Sequence, residues 1–202
     1  MSPHAATIDV KELYGASSNE PSIVDVPELQ FLMVDGTGDP NQPGAFQDAI
    51  QALYSLSYGA KFMLKKEGVE FRVSPLEGLW GSAGGLNPNH KATWRWTAMV
   101  MQPSAVTSAV LEKVRAEAMR KKPLPALSRV RLETFKEGRS AQIMHIGPYS
   151  AEAPTIAKLH EFIKKQGYRL VGKHHEIYLG DPRRSAPARL KTLIRQPIAR
   201  VS

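Results

Sequence analysis

The run Leu29-Gln-Phe-Leu-Met-Val34 is apolar but for one residue, and Asp35-Gly-Thr-Gly-Asp-Pro40 stops it. An apolar run of this length, closed by glycine and proline, reads as a buried strand leading into a loop. After the loop, Phe46, Ile50, Leu53, Tyr54 and Ser57 fall at three- and four-residue spacing, which predicts a helix over about 44–66 with one face on a core. Gly68 suits its stop. Glu70-Phe-Arg-Val73 alternates as a strand does, and Pro75 to Asn89 reads as a Gly- and Asn-rich connection carrying Leu79-Trp80. Thr93 to Met101 has strand propensity. Pro103 opens a second helix, predicted to run to about Lys122, where Pro123 and Pro125 end it.

The second half repeats this order. Strands are expected at about 129–135 and 140–146, joined as a hairpin through Lys136-Glu-Gly-Arg139. Gly147-Pro148-Tyr149 fills the slot of the first loop. A helix follows over about 154–166, with Ile156, Leu159, His160 and Ile163 on one face, then strands at about 168–179 and 190–197. The expected class is therefore α+β: two β-α-β-β units forming one antiparallel sheet with helices on one side and a central ligand cleft. Residues 1–22 read as a flexible N-terminal segment, and 23–198 as a single domain of two pseudo-repeats, about 23–110 and 111–198.

Composition narrows the function. The chain has 202 residues, is 42% hydrophobic and has no cysteine, which excludes a disulfide scaffold, a thiolate metal site and a Cys nucleophile. The lack of cysteine fits a reducing compartment, and no secretory pattern opens the chain, so a cytoplasmic location is expected. No run approaches the ~18 apolar residues of a membrane span. Residues 1–110 carry 7 basic and 11 acidic side chains, whereas residues 111–202 carry 20 and 8. No RRM, KH or helix-turn-helix signature accompanies that basic half, so nucleic acid is not the expected partner. The histidines lack metal spacing, and no GxSxG, P-loop or Rossmann fingerprint occurs, so neither metal nor cofactor is expected. Oligomeric state is left open.

Alternation assigns faces in Lys173-His-His-Glu-Ile-Tyr-Leu179. Ile177 and Leu179 share one side, expected to pack on the helices. His174, Glu176 and Tyr178 share the other, expected to be helix-free. Glu is depleted in strands, so Glu176 is either an edge-strand surface residue or a carboxylate in a cleft. Trp94 and Trp96 share a face and Trp80 precedes them. They are either core or an aromatic cage for a flat or cationic ligand. Glu152 either complements the dipole at the start of its helix or faces Glu176 across the cleft.

The runs His145-Ile-Gly-Pro-Tyr149, His175-Glu-Ile-Tyr-Leu-Gly-Asp-Pro-Arg-Arg184 and Leu190-Lys-Thr-Leu-Ile-Arg-Gln-Pro197 resemble the GyrI-like small-molecule-binding proteins. Lys61-Phe62-Met63, Pro75-Leu-Glu-Gly-Leu-Trp80 and Trp94-Arg-Trp96 are similar to the stand-alone branch of that family. The resemblance spans roughly 22–198 and implies a SOUL-like duplicated fold with a Glu of the penultimate strand, here Glu176, in the pocket. It implies a hydrophobic aromatic small molecule as partner. The stand-alone branch includes hydrolases of cyclopropanoid DNA-alkylating antibiotics of the yatakemycin type, hence a resistance or detoxification role. Plain sequestration of aromatic or cationic drugs is the alternative. On this reading Glu152, Glu176 and Tyr149 are catalytic candidates, and Trp80, Trp94, Trp96, Tyr178 and His145 bind ligand.

Overall fold

The computed structural model describes residues 13–81 and 90–201. In chain order its elements are β1 (Ser22–Thr37), α1 (Ala45–Lys65), β2 (Leu76–Gly81), β3 (Arg95–Gln102), α2 (Ser108–Lys121), β4 (Arg131–Ile146), α3 (Ala153–Lys165), β5 (Tyr168–Leu170), β6 (His174–Tyr178) and β7 (Lys191–Arg200). The strand order is β4-β1-β3-β2-β6-β7, every pairing is antiparallel, and β4 also pairs with β7. The sheet therefore curls round on itself and closes, as the native twist of long strands favours. Short β5 adds to the far end of β7.

The expected duplication is present. β1-α1-β2-β3 and β4-α3-β6-β7 trace the same path. The seams between them are the β1–β4 pair on one side of the ring and the β2–β6 pair on the other. α2 connects the halves and packs on α1.

α1 buries Phe46, Ala49, Ala52, Leu53, Leu56, Ala60 and Leu64, a helical stripe laid on Leu32, Val34, Trp80, Trp96, Ala98 and Val100 of the sheet. α3 lays Leu159 and Ile163 on Ala141, Ile143 and Ile194. The opposite, inner face holds Phe31, Met33, Leu79 and Met99, and, further round, Met144, Ile177 and Leu193.

Five expectations change. The second helix starts at Ser108 rather than Pro103, and the strand expected over 168–179 is two strands, β5 and β6. Glu70–Val73 is not a strand: Phe71 and Val73 pack on the core from a connecting segment, and the paired strand is Leu76–Gly81. Alternation there reports burial, not pairing. The hairpin through Lys136-Glu-Gly-Arg139 is instead the middle of one continuous strand, β4, in unbroken register with β1 through Glu28↔Lys136 and Val26↔Gly138. Gly138 supplies a kink (φ 75°) rather than a turn. The N-terminal segment expected to be flexible is pinned from Leu13 onward. The backbone N–H of Met144 donates to the Ser17 carbonyl, Gln142 donates to that of Gly15, and Arg195 donates to that of Leu13. Residues 1–12 lie outside the described residues.

The anchor of that segment is a charged cluster inside the ring. His175 of β6 sits 2.9 Å from Glu77 of β2 and 3.0 Å from Glu137 of β4. Arg195 of β7 reaches Glu137 at 3.1 Å and Gln142 at 3.0 Å, and Tyr14 donates to Glu77. His175, Glu77, Glu137 and Arg195 are at most 2% exposed. Burial opposes the charged ring of His175, but the two carboxylates outweigh it and raise its pKa to about 9. Such a group is tolerable only because every charge is paired with an opposite one.

Candidate functional site

β6 crosses the ring beside β2, and its alternation fixes two opposite environments. His175 and Ile177 point inward, to the charged cluster and the inner apolar face. His174, Glu176 and Tyr178 share the other face, as alternation predicts. That face is the helix-bearing one, not the helix-free one expected: Gly78 stands across from Glu176, Trp80 across from His174 and Leu76 across from Tyr178. The prediction inverted the faces because Ile177 and Leu179 look like natural helix partners. The ring has a second apolar surface inside it that takes Ile177 instead. Glu176 and its neighbours thus lie on the outer wall, on the face that carries the helices.

Glu176 lies between His174 and Tyr178 on that face. Its Oε2 accepts from Tyr178 Oη at 2.6 Å and its Oε1 lies 3.1 Å from His174 Nε2. Its side chain is 16% exposed, so it touches solvent from a mostly enclosed position. Burial pushes its carboxyl up, yet the hydrogen bond and charge of His174, with the Tyr178 and Glu152 hydrogen bonds, bring it below the usual value.

Glu152 comes from the turn before α3. It makes no side-chain capping bond there, so helping the helix start is not what its carboxyl does. It is buried against Glu176, and its Oε1 and the nearby Thr192 hydroxyl of β7 have no hydrogen-bond partner. Burial first, then the Glu176 charge, pushes it up to about 8. Two carboxyls at contact cannot both ionise, so the pair shares one proton. Its place is on Glu152.

Aromatic rings wall this pair. Tyr149 packs edge-on against Tyr178 with centroids 5.5 Å apart, and its phenol is 39% exposed at the mouth. Burial and the two glutamates raise its pKa, so it stays a proton donor. Trp80 lies edge-on to Trp94 at 5.7 Å and tilted to Phe46 at 5.3 Å. Lys91 stands 5.6 Å over the Trp94 ring. Gly78 makes this possible, because a Cβ there would meet the Trp80 indole Nε1 at 2.8 Å.

Three expected ligand contacts lie deeper. Trp80 is 4% exposed and belongs to the core packed on α1. Trp96 is 1% exposed, wedged over Gly36 and edge-on to Phe46 at 4.9 Å, so it packs beneath the wall rather than in it. His145 is buried with Nδ1 3.0 Å from Thr155 Oγ1 and Nε2 3.2 Å from the Pro148 carbonyl. It ties the Gly147–Tyr149 loop to α3, and so holds Tyr149 and Glu152 in place. No cluster of three metal-ligating side chains occurs among the described residues. Two open hollows, of about 310 and 370 Å³, lie away from the carboxylates, at Lys61–Arg72 and around Asp35, Arg95 and Lys173.

A family model, the GyrI-like small molecule binding domain, matches residues 19–199. The chain belongs to that family. Solved structures agree with the assignment. An uncharacterized conserved protein from Listeria innocua is 41% identical to this GyrI-like chain, covers 94% of it and 96% of its own length, and superposes with a TM-score of 0.88. A Listeria innocua protein described as a hydrolase is 40% identical over 94% of this chain and 96% of that one, at a TM-score of 0.82. The C-terminal domain of EcmrR shares the GyrI-like fold at 12% identity and a TM-score of 0.57, over 90% of this chain and 98% of that one. No curated protein matches the sequence. No helix among the described residues is long and apolar enough to cross a membrane.

Sequence reasoning missed the GyrI-like ring's inner charges and Thr192. The signal for the first was Arg195, a cation directly after the apolar pair Leu193-Ile194 in mid-strand. Nothing local marks Thr192, whose role depends on β7 lying beside β6 across Tyr178↔Thr192.

Proposed function

We propose that the protein is a hydrolase that adds water to a flat aromatic molecule bearing a strained cyclopropane conjugated to a dienone, the chemistry of yatakemycin-type antibiotics. One observation carries the reading: Glu152 is buried against Glu176, whose two oxygens meet Tyr178 and His174, with the half-exposed Tyr149 ring beside them. The Listeria innocua relative described as a hydrolase supports it. So does the aromatic surround, in which Tyr149 stays 39% exposed beside Tyr178.

In this scheme Glu176, the ionised member, takes a proton from water as the water oxygen bonds to the cyclopropane CH2 carbon. The ring carbon–carbon bond breaks, and its electron pair flows into the dienone, which becomes an aromatic phenolate. Glu152, or Tyr149 at the mouth, gives that oxygen a proton. With Glu152 as donor, the proton on Glu176 passes back to it and the pair is reset. Substrate and water are consumed together and nothing else is needed. Proton transfer of this kind contributes about 10²–10⁴-fold. Trp94 stacks on the ligand, with Trp80 packed behind it and Tyr178 orienting the base. Such turnover would serve detoxification in the cytoplasm.

The ionised Glu176 ringed by aromatics also favours a second reading, sequestration of a bulky aromatic cation. Incubation with a cyclopropanoid substrate, followed by mass spectrometry, separates the two. A product heavier by one water, lost in Glu176→Gln with the fold retained, is the expected result. Tight binding with unchanged ligand mass overturns the hydrolase.

A further inference from the structure

We propose that His174 is a positioning residue that assigns the shared proton to Glu152 by holding Glu176 as the carboxylate. The inference deepens the hydrolase reading, and rests on it only for the effect on turnover.

The two carboxyls are chemically identical and in contact, so their environments must break the tie. Each Glu176 oxygen has its own partner: Oε1 faces His174 Nε2 at 3.1 Å, and Oε2 receives Tyr178 Oη at 2.6 Å. Outside the pair, Glu152 has no such partner: its Oε1 is buried without a hydrogen bond. Of the two Glu176 partners, the phenol is a permanent neutral donor, held protonated by burial and by Glu176 itself. The imidazole alone can supply positive charge. A charged donor to a carboxylate bonds roughly twice as strongly as a neutral one.

The groups around His174 leave it that task. Its own strand supplies Glu176 and Tyr178. β2 places Trp80 across from it, which carries no charge. α3 supplies Glu152 at its start, and His160, with Lys164 one turn further on. The His160 ring is held toward its neutral form by burial, then by His174 and Lys164, and its Nε2 is buried without a partner. His160 therefore contributes no competing cation. His174 is 9% exposed, which limits screening of its contact with Glu176 by solvent. The charged cluster around His175 lies on the far side of the sheet.

The test reads protonation directly and needs no substrate. In protein carrying 13C-labelled glutamate side chains, NMR titration of the wild type is expected to show one buried carboxyl deprotonating at about pH 8 and absent from Glu152→Gln. In His174→Ala, Glu176 is expected to take up part of that proton, its midpoint rising by about one pH unit while that of Glu152 falls. His174→Gln, which keeps an N–H donor, restores part of the difference. In turnover, His174→Ala lowers kcat about tenfold with little change in KM, and moves the acidic limb of the pH profile upward. Unchanged midpoints of both carboxyls in folded His174→Ala overturn the proposal. If the wild type turns over no cyclopropanoid substrate but the midpoints shift as described, the hydrolase reading fails and this one stands.

Discussion

Gly78 of β2 stands directly across the strand pair from Glu176 of β6, and the Trp80 indole lies back over the space that a side chain at 78 would fill. The acid and the aromatic wall are therefore adjacent because one residue has no Cβ. Gly78→Ala would meet Trp80 Nε1 at 2.8 Å and tilt the indole away. The expected outcome is a folded protein with ligand affinity reduced about tenfold, read by quenching of Trp fluorescence, and a smaller loss of kcat.

Trp96 makes the same demand on Gly36 more severely. A Cβ at 36 would lie 2.2 Å from the Trp96 ring, which is packed in the core and has no room to swing. Gly36→Ala is expected to destabilise by about 1–3 kcal/mol, seen as a lower urea midpoint with unchanged slope. Gly36→Ala with Trp96→Phe should recover part of that loss.

Stability should fall as pH rises from about 6.5 to 9. Glu152 and His175 both hold a proton more tightly folded than unfolded, their pKa values rising from 4.5 to about 8 and from 6.5 to about 9. A raised pKa stabilises fully below the unfolded value, and that contribution is lost as pH climbs through the folded one. Glu176 and Glu137 are shifted down, so they weaken the fold only as pH drops below the ordinary glutamate range. Tm measured across this window checks the sign. Glu152→Gln should flatten the part of the slope below pH 8.

Removing one partner of the inner cluster strands the rest. Arg195→Met leaves Glu137 facing His175 alone and frees the Leu13 carbonyl. Losing one partner of a buried ion pair costs about 3–5 kcal/mol, visible by chemical denaturation. Amide exchange should then rise at Ser17 to Asn19, where the strap loses its hold.

The repeat order, the spans of α1 and α3 and the shared face of His174, Glu176 and Tyr178 were legible because they depend on local periodicity, whereas α2 starts at Ser108 and not at Pro103. α1 and α3 begin and end within a residue of expectation, since Phe46–Ser57 and Ile156–Ile163 carry unmistakable stripes. Closure of the ring was not legible. It is a pairing of β4 with β7, some fifty residues apart, and no local pattern announces it. The inverted face followed from that gap. In an open sheet Ile177 needs a helix, whereas in a closed ring it needs only the other strands. Glu137 misled for a related reason. Beside Gly138 it reads as a turn residue, yet His175 and Arg195 draw it into the interior.

The strap of residues 13–19 also bears on how the protein can be handled. It contacts Glu77 and Met101 on the inner side of the sheet, away from Glu176. A purification tag or a surface tether placed ahead of it would leave the mouth of the cleft free for titration. Clipping the chain at Ser17 would instead bare a nest of opposed charges to water, and a preparation trimmed there would lose solubility before it lost ligand.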